Sequence, residues 1–237
     1  MKTSAVRRPP APARQSRVQS DSQRGSQGGH AYQKLRGLVK DGVLKPGDRI
    51  VEASIASQLK VSRTPVRDAI VRLQAEGLLD YEPRSGLVVA KLDRRGVVEL
   101  YEMREVLEGT AARLFTRHAS EVEVEQLGEF VELERQLQGN AHDLASHNLK
   151  FHAQIHRGAH NRFLEKALRA VNAVRWLLGP TQMVDTARAE QSLSEHTELV
   201  RAIQRRDAET AESIARKHLR SAHVQRMKTL FPVEDES

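Results

Sequence analysis

From Asp93 to about residue 230, apolar residues recur at the three- and four-residue intervals of an α-helix, and no segment alternates as a strand would. A chain that keeps this period so long has to pack helix on helix. The spacing predicts helices over about 94–118, 120–138, 141–159, 161–178, 189–205 and 207–230. Asn140, Gly158, Gly179-Pro180 and Asp207 punctuate the run, and Ser120 with Glu123 makes a capping box. Residues 93–232 are expected to form an all-α bundle of six or seven helices, with an acidic tail at 233–237.

Before Asp93 the pattern differs. Residues 1–30 are rich in Ser, Gln, Arg, Pro and Gly and nearly devoid of apolar residues, so they read as a disordered basic arm. The arm either touches phosphates through Arg7, Arg8, Arg14, Arg17 and Arg24 or is a solvated tail. Residues 31–92 begin with a helical run from Ala31 to about Asp41, carrying Leu35, Leu38 and Val39, that Gly42 ends. After the turn at Lys45-Pro46-Gly47-Asp48, a short helix from Glu52 to Leu59 presents Ile55, Ala56 and Leu59 on one face. A third helix follows, with Ser62 or Thr64 as cap, Pro65 near its start and Val66, Ala69, Ile70 and Leu73 as its buried stripe. The period then changes. Leu78 to Tyr81 and Gly86 to Ala90 read as two strands around Glu82-Pro83-Arg84-Ser85. Three helices and a hairpin make a winged helix-turn-helix, so the chain is expected to be mainly α in two domains.

Charge divides along the same boundary. The net charge of +7 splits into +5 for residues 1–30, +4 for 31–92 and −2 for 93–237, so the two parts face different partners. The absence of Cys excludes disulfides, thiolate metal sites and cysteine nucleophiles. No window approaches the roughly 18 apolar residues of a membrane span, and no apolar segment follows the basic N-terminus, so a soluble, non-secreted protein is expected. An aromatic content of 4% argues against a single-strand binder built on base stacking.

In a helix-turn-helix the second helix enters the major groove with its N-terminal residues at the base edges. Arg63 and Arg67 are four apart and share a face, and Arg suits bidentate bonds to guanine. The hydroxyls of Ser62 and Thr64, with the free amides of the helix start, suit phosphates. An isolated Arg pair is more often a solvated face; the agreement of turn, cap, stripe and wing tips the reading to DNA.

The run through Pro46-Gly47, Glu52, Leu59, Val61 to Arg67, Leu73, Glu76-Gly77-Leu78 and Pro83-x-x-Gly86 resembles the winged helix of the GntR superfamily of bacterial transcription regulators. The resemblance implies operator contacts by Ser62, Arg63, Thr64 and Arg67, with the wing tip Arg84, Ser85 and Gly86 near the minor groove. One position departs, since Ala53 stands where some members carry a basic contact.

Nine of the ten His follow position 93. Asn148 and His152 share a helix face at i,i+4, and His196 and His218 lie on two later helices that can complete a site across the bundle. The pattern Leu100-Tyr101-Glu102-Met103-Arg104-x-x-Leu107-Glu108, Asn148-x-x-Phe151-His152, Glu195-His196 and His218-Leu219 resembles the FCD effector domain of the FadR branch. Many members hold a divalent metal, commonly zinc or nickel, through one Asp and three His; here Asn148 replaces the Asp while His152, His196 and His218 match. The resemblance also places Arg104 at the cavity, where it either clamps an effector carboxylate or forms a surface or interface salt bridge. His147 and His156 match no ligand of the family and read as helix surface or as support behind the site.

The expected function is therefore a homodimeric regulator, not an enzyme, in the bacterial cytoplasm and associated with the nucleoid through DNA. It reads a palindromic operator, most often as a repressor, and responds to an organic acid bound near a metal. Two other readings remain open at this point. One is a metal-dependent hydrolase tethered by its DNA head, although no H-E-x-x-H motif is present. The other is a sequence-tolerant architectural DNA binder.

Overall fold

The computed structural model describes residues 15–179 and 185–232, with side chains from Gly28 onward. The chain divides into two compact units, the first ending at Val89 and the second starting at Ala90 and including the Lys45–Gly47 turn.

In the first unit, α1 (Gln15–Lys40) packs on α3 (Arg63–Ala75), and α2 (Glu52–Leu59) leans on α3 as well. Ala31, Tyr32, Leu35 and Val39 are buried on α1, and the stripe Val66, Ala69, Ile70 and Leu73 is buried on α3. On α2, Ile55 and Ala56 are buried and Leu59 half-buried. Helix α1 begins at Gln15 and not at Ala31. Of the segment read as a disordered arm, residues 15–30 are thus helical, and residues 1–14 lie outside the described residues. The reason is cooperative: once Leu35 and Val39 anchor the helix, each added residue gains a backbone hydrogen bond without a new nucleation cost, and the sequence has no proline between Pro12 and Pro46 to interrupt it.

The turn between α2 and α3 is made by Lys60 in the left-handed region (φ 53°), a conformation that glycine usually supplies. At the far end of α3, Gly77 (φ 72°) closes a Schellman motif, with the Leu78 amide donating to the Leu73 carbonyl at 2.9 Å. The chain then turns sharply into β1 (Leu79–Glu82), which pairs antiparallel with β2 (Gly86–Val89), Asp80 opposite Val88. A third edge escapes sequence reasoning. The Val89 amide donates to the Asp48 carbonyl and the Ile50 amide to the Leu87 carbonyl, so residues 48–50 extend the wing.

The second unit contains α4 (Arg94–His118), α5 (Glu121–Gln136), α6 (Ala141–Gly158), α7 (Arg162–Val174), a 3-10 turn (Arg175–Leu178), α8 (Thr186–Gln204) and α9 (Ala208–Leu230). All six helices start on a side chain that accepts from the first-turn amides: Asp93, Ser120, Asn140, Asn161, Asp185 and Asp207. Ser120 and Glu123 form the full capping box. Because Asp185 caps α8, that helix starts before residue 189. Pro180 and the acidic tail 233–237 lie outside the described residues. The core gathers Phe115, Leu127, Phe151, Leu168, Ile203 and Ala211, and α4 runs along α9 for much of its length. Gly158 has a packing role beyond punctuation, since a Cβ there would meet the Phe115 ring at 2.4 Å.

Candidate DNA-reading surface and metal and effector site

At the start of α3 the burial of Pro65, Val66, Ala69 and Ile70 turns the other face outward. Ser62, Arg63, Thr64 and Arg67 are all exposed there, and the Ser62 side chain makes no cap bond of its own. Arg67 is already engaged: its Nε donates to Glu52 Oε2 of α2 at 2.7 Å. At the wing tip Arg84 is exposed, and Ser85 and Gly86 beside it are half-buried, Gly86 at the start of β2.

In the helical unit, α6 supplies Asn148 and His152, α8 supplies His196 and α9 supplies His218. The three imidazoles converge, with ring centroids 4.7 Å apart for His196 and His218, 5.2 Å for His152 and His218, and 5.4 Å for His152 and His196. One ligand nitrogen from each lies within 4.8 Å of the other two. Each ring has a buried carboxylate beside its Nδ1: His196 donates to Glu134 at 2.7 Å and His218 to Glu195 at 2.7 Å, while His152 Nδ1 lies 3.1 Å from Glu108 Oε2 as an ion-pair contact without hydrogen-bond geometry. A carboxylate only accepts, so in His196 and His218 Nδ1 carries the proton and Nε2 keeps a lone pair for a metal.

Two atoms of this cluster are buried without a hydrogen-bond partner, Asn148 Oδ1 and His196 Nε2. Both are donor atoms of the kind a divalent cation takes up. Burial and chemistry thus fit a metal at Asn148, His152, His196 and His218. Two of the imidazoles are also kept neutral: burial pushes His218 down to about 3 and His152 to about 4, against the pull of their carboxylates. Glu195 sits at about 2: burial alone would raise it, but the hydrogen bond from His218 and the ion pair with Arg188 outweigh that.

His147 and His156 are not helix surface. Both are buried, His147 with Nε2 2.8 Å from the Phe130 carbonyl and His156 with Nε2 3.6 Å from Glu108 Oε2. Glu108, His152 and His156 also bring ligand atoms together, but Glu108 is held by Arg104, whose Nε and Nη2 reach one of its oxygens at 3.0 and 2.8 Å. That makes the Glu108 group a support behind His152. The Arg104–Glu108 pair is buried, so it is not a surface salt bridge.

Beside the imidazoles lies a cavity whose wall includes Arg104, Arg175, Arg188 and Arg226, with no Asp or Glu among its described lining residues. Arg104 therefore lies at the cavity and is ion-paired as well. Sequence reasoning missed Arg175, Arg188, Arg226 and Glu134. Arg104 and Glu108 show an i,i+4 spacing, but Glu134 meets His196 from another helix and leaves no local signal.

A winged helix-turn-helix with exposed arginines and an all-helical unit built around a buried cluster of imidazoles together define a DNA-binding regulator. Residues 27–89 match the family described as bacterial regulatory proteins, gntR family, and residues 99–221 match the FCD domain. Among similar proteins, the HTH-type transcriptional regulator YdhC of Bacillus subtilis is 31% identical over 183 residues, which covers 76% of this chain and 82% of that protein. The Nta operon transcriptional regulator of Aminobacter aminovorans is 34% identical over 139 residues, 56% of this chain and 66% of that one. In fold, Escherichia coli McbR/YncC aligns over 86% of this chain and 98% of its own with a TM-score of 0.69 at 21% identity. The chain belongs to the GntR family, with an FCD domain, and is a transcription regulator and not an enzyme. No described helix is long and apolar enough to cross a membrane.

Proposed function

We propose that this protein is a homodimeric operator-binding repressor whose affinity for DNA is set by an organic acid held next to a divalent transition metal. The observation that carries the reading is the cluster of three imidazoles, each backed by a buried carboxylate, with Asn148 Oδ1 and His196 Nε2 left without partners. Asn148, His152, His196 and His218 would hold the ion, zinc or nickel by the softness of the donor set. When bound, the metal supplies a Lewis-acidic site for a carboxylate oxygen. The chain's own part is to orient three rings through Glu108, Glu134 and Glu195 and to line the adjoining space with guanidinium groups, Arg104 among them.

On the DNA side, Arg63 and Arg67 read base edges, Ser62 and Thr64 take phosphates, and Arg84, Ser85 and Gly86 form the wing contact. A second copy follows from the operator, since paired recognition helices need paired half-sites. The effector acts by binding one state of the dimer better than the other.

The test combines metal analysis with DNA binding. Purified protein should contain about one zinc or nickel per chain, and a His152→Ala variant should lose it. In a gel-shift titration, a panel of organic acids should include one that weakens operator binding at least tenfold. Equal metal content in both proteins, or no response to any acid, would refute the corresponding half.

A further inference from the structure

Behind His152 a second set of donor atoms converges. Its Nδ1 lies 3.1 Å from Glu108 Oε2, and His156 Nε2 lies 3.6 Å from the same oxygen. One ligand atom from each of the three residues falls within 4.8 Å of the other two. Bonds of about 2.0–2.2 Å at tetrahedral angles set the ligand atoms of a zinc ion about 3.4 Å apart, a value that the two shorter separations bracket.

No hydrogen bond accounts for this approach. Glu108 Oε2 and His156 Nε2 are both buried without a hydrogen-bond partner, and His152 Nδ1 faces the carboxylate without the geometry to donate. Buried polar atoms left in this way are costly, and a divalent cation is a partner that a carboxylate oxygen and two imidazole nitrogens can share.

The support that Glu108 gives His152 uses only part of its carboxylate. Arg104 occupies Oε1 through Nε and Nη2, and Oε2 stays open. A ligating carboxylate is itself held by a hydrogen-bond donor in just such a way. His152 and His156 are four apart on α6, the spacing that sets two imidazoles on one face of a helix for a metal, and Glu108 comes to them from α4. A cavity lined by Glu108, Asn148, His152, Ala153 and His156 opens beside the three and gives water a way to the remaining coordination positions.

We infer that Glu108, His152 and His156 form a second divalent-metal site, one for zinc, that shares His152 with the first. One ion binds His152 through Nε2 and the other through Nδ1, and the ring releases its remaining proton to solvent when both are in place. Arg104 and the first ion put positive charge beside this position, so it is the weaker site and fills second. It shares His152 with the proposed function but does not need the first ion.

The experiment titrates metal-stripped, full-length protein with zinc and reads bound metal by elemental analysis and isothermal titration. Wild type should take up a second equivalent at least about tenfold weaker than the first. His156→Ala should lose the weaker equivalent and keep the tighter one, and His196→Ala should do the reverse. Exposed histidines that pick up zinc are the same in both variants and cannot produce that exchange. Identical uptake by wild type and His156→Ala overturns the second site and leaves the first standing. Loss of the weaker equivalent in His156→Ala, with none lost in His196→Ala, supports the second site and overturns the first. Should His156→Ala fail to fold, His156→Gln takes its place and should weaken the second equivalent at least about tenfold. A wild-type isotherm that saturates at one equivalent overturns the inference by itself.

Discussion

Glu134 on α5 and His196 on α8 meet at 2.7 Å where water does not reach, the imidazole at 0% and the carboxylate at 2% exposure. A carboxylate so placed sets the tautomer of the ring and raises its basicity as a ligand. Glu134→Gln keeps the shape but can present its amide N–H to Nδ1, leaving the proton on Nε2. Metal affinity, read by chelator competition, should fall about 10- to 100-fold. Unchanged affinity would mean that His196 does not bind metal through Nε2.

Asn148 is the one neutral oxygen donor in the proposed ligand set. Asn148→Asp should tighten metal binding in the same competition assay and raise the melting temperature of the zinc-loaded protein. In metal-free protein the change should be small, since the new carboxylate is buried with both Glu108 and the guanidinium groups of the cavity wall around it. A variant less stable in both states would argue against a cation at this position.

The pairing of Arg67 with Glu52 makes separable predictions for the DNA head. Arg67→Ala should cost about 1–3 kcal/mol of operator binding if the guanidinium reads a guanine. Glu52→Gln removes a negative charge beside the polyanion and frees Arg67 from its aim. Non-specific DNA should then bind more tightly while the specificity ratio drops. An unchanged ratio would show that Glu52 does not orient Arg67.

Acid should destabilise the metal-free helical unit in a defined window. His218 and His152 titrate at about 3 and about 4 when folded against an ordinary 6.5. Glu195 titrates at about 2 against 4.5. The unfolded chain therefore binds more protons than the folded one, and stability present above pH 6.5 is lost progressively as the pH falls toward these values. Melting temperatures from about pH 7 to about pH 3 should fall less steeply in His218→Gln than in wild type. Parallel curves would remove His218 from this account.

Gly158→Ala tests the approach of α6 to α4. The added Cβ would lie 2.4 Å from the Phe115 ring, which is fully buried and cannot swing away. Overpacking of this kind costs about 1–3 kcal/mol, measurable by urea denaturation.

Much of the fold is legible locally. In the second unit Ser120, Asn140 and Asp207 mark helix starts in the sequence, whereas the cap at Asp185 does not show there, and the hairpin after Gly77 shows as a change of period. What else escaped was cooperative or long-range. Helix α1 continues back to Gln15 because propagation is cheap once a helix is anchored, which the polar sequence does not advertise. Residues 48–50 join the wing through backbone bonds alone, and these leave no side-chain pattern.

The candidate site divides in the same way. Sequence alone established that Asn148 and His152 share a helix face and that Ser62, Arg63, Thr64 and Arg67 stand at an exposed helix start, because each depends on one helix's period or a local cap, while the resemblance added His196 and His218 as candidate ligands. Only the tertiary structure decided that Glu134, Glu108 and Glu195 back the three rings, that Arg67 is held by Glu52, and that Arg175, Arg188 and Arg226 share a wall with Arg104. Those relations arise where separate helices meet and bury charge together, and burial is a property of the packed chain, not of any segment of it.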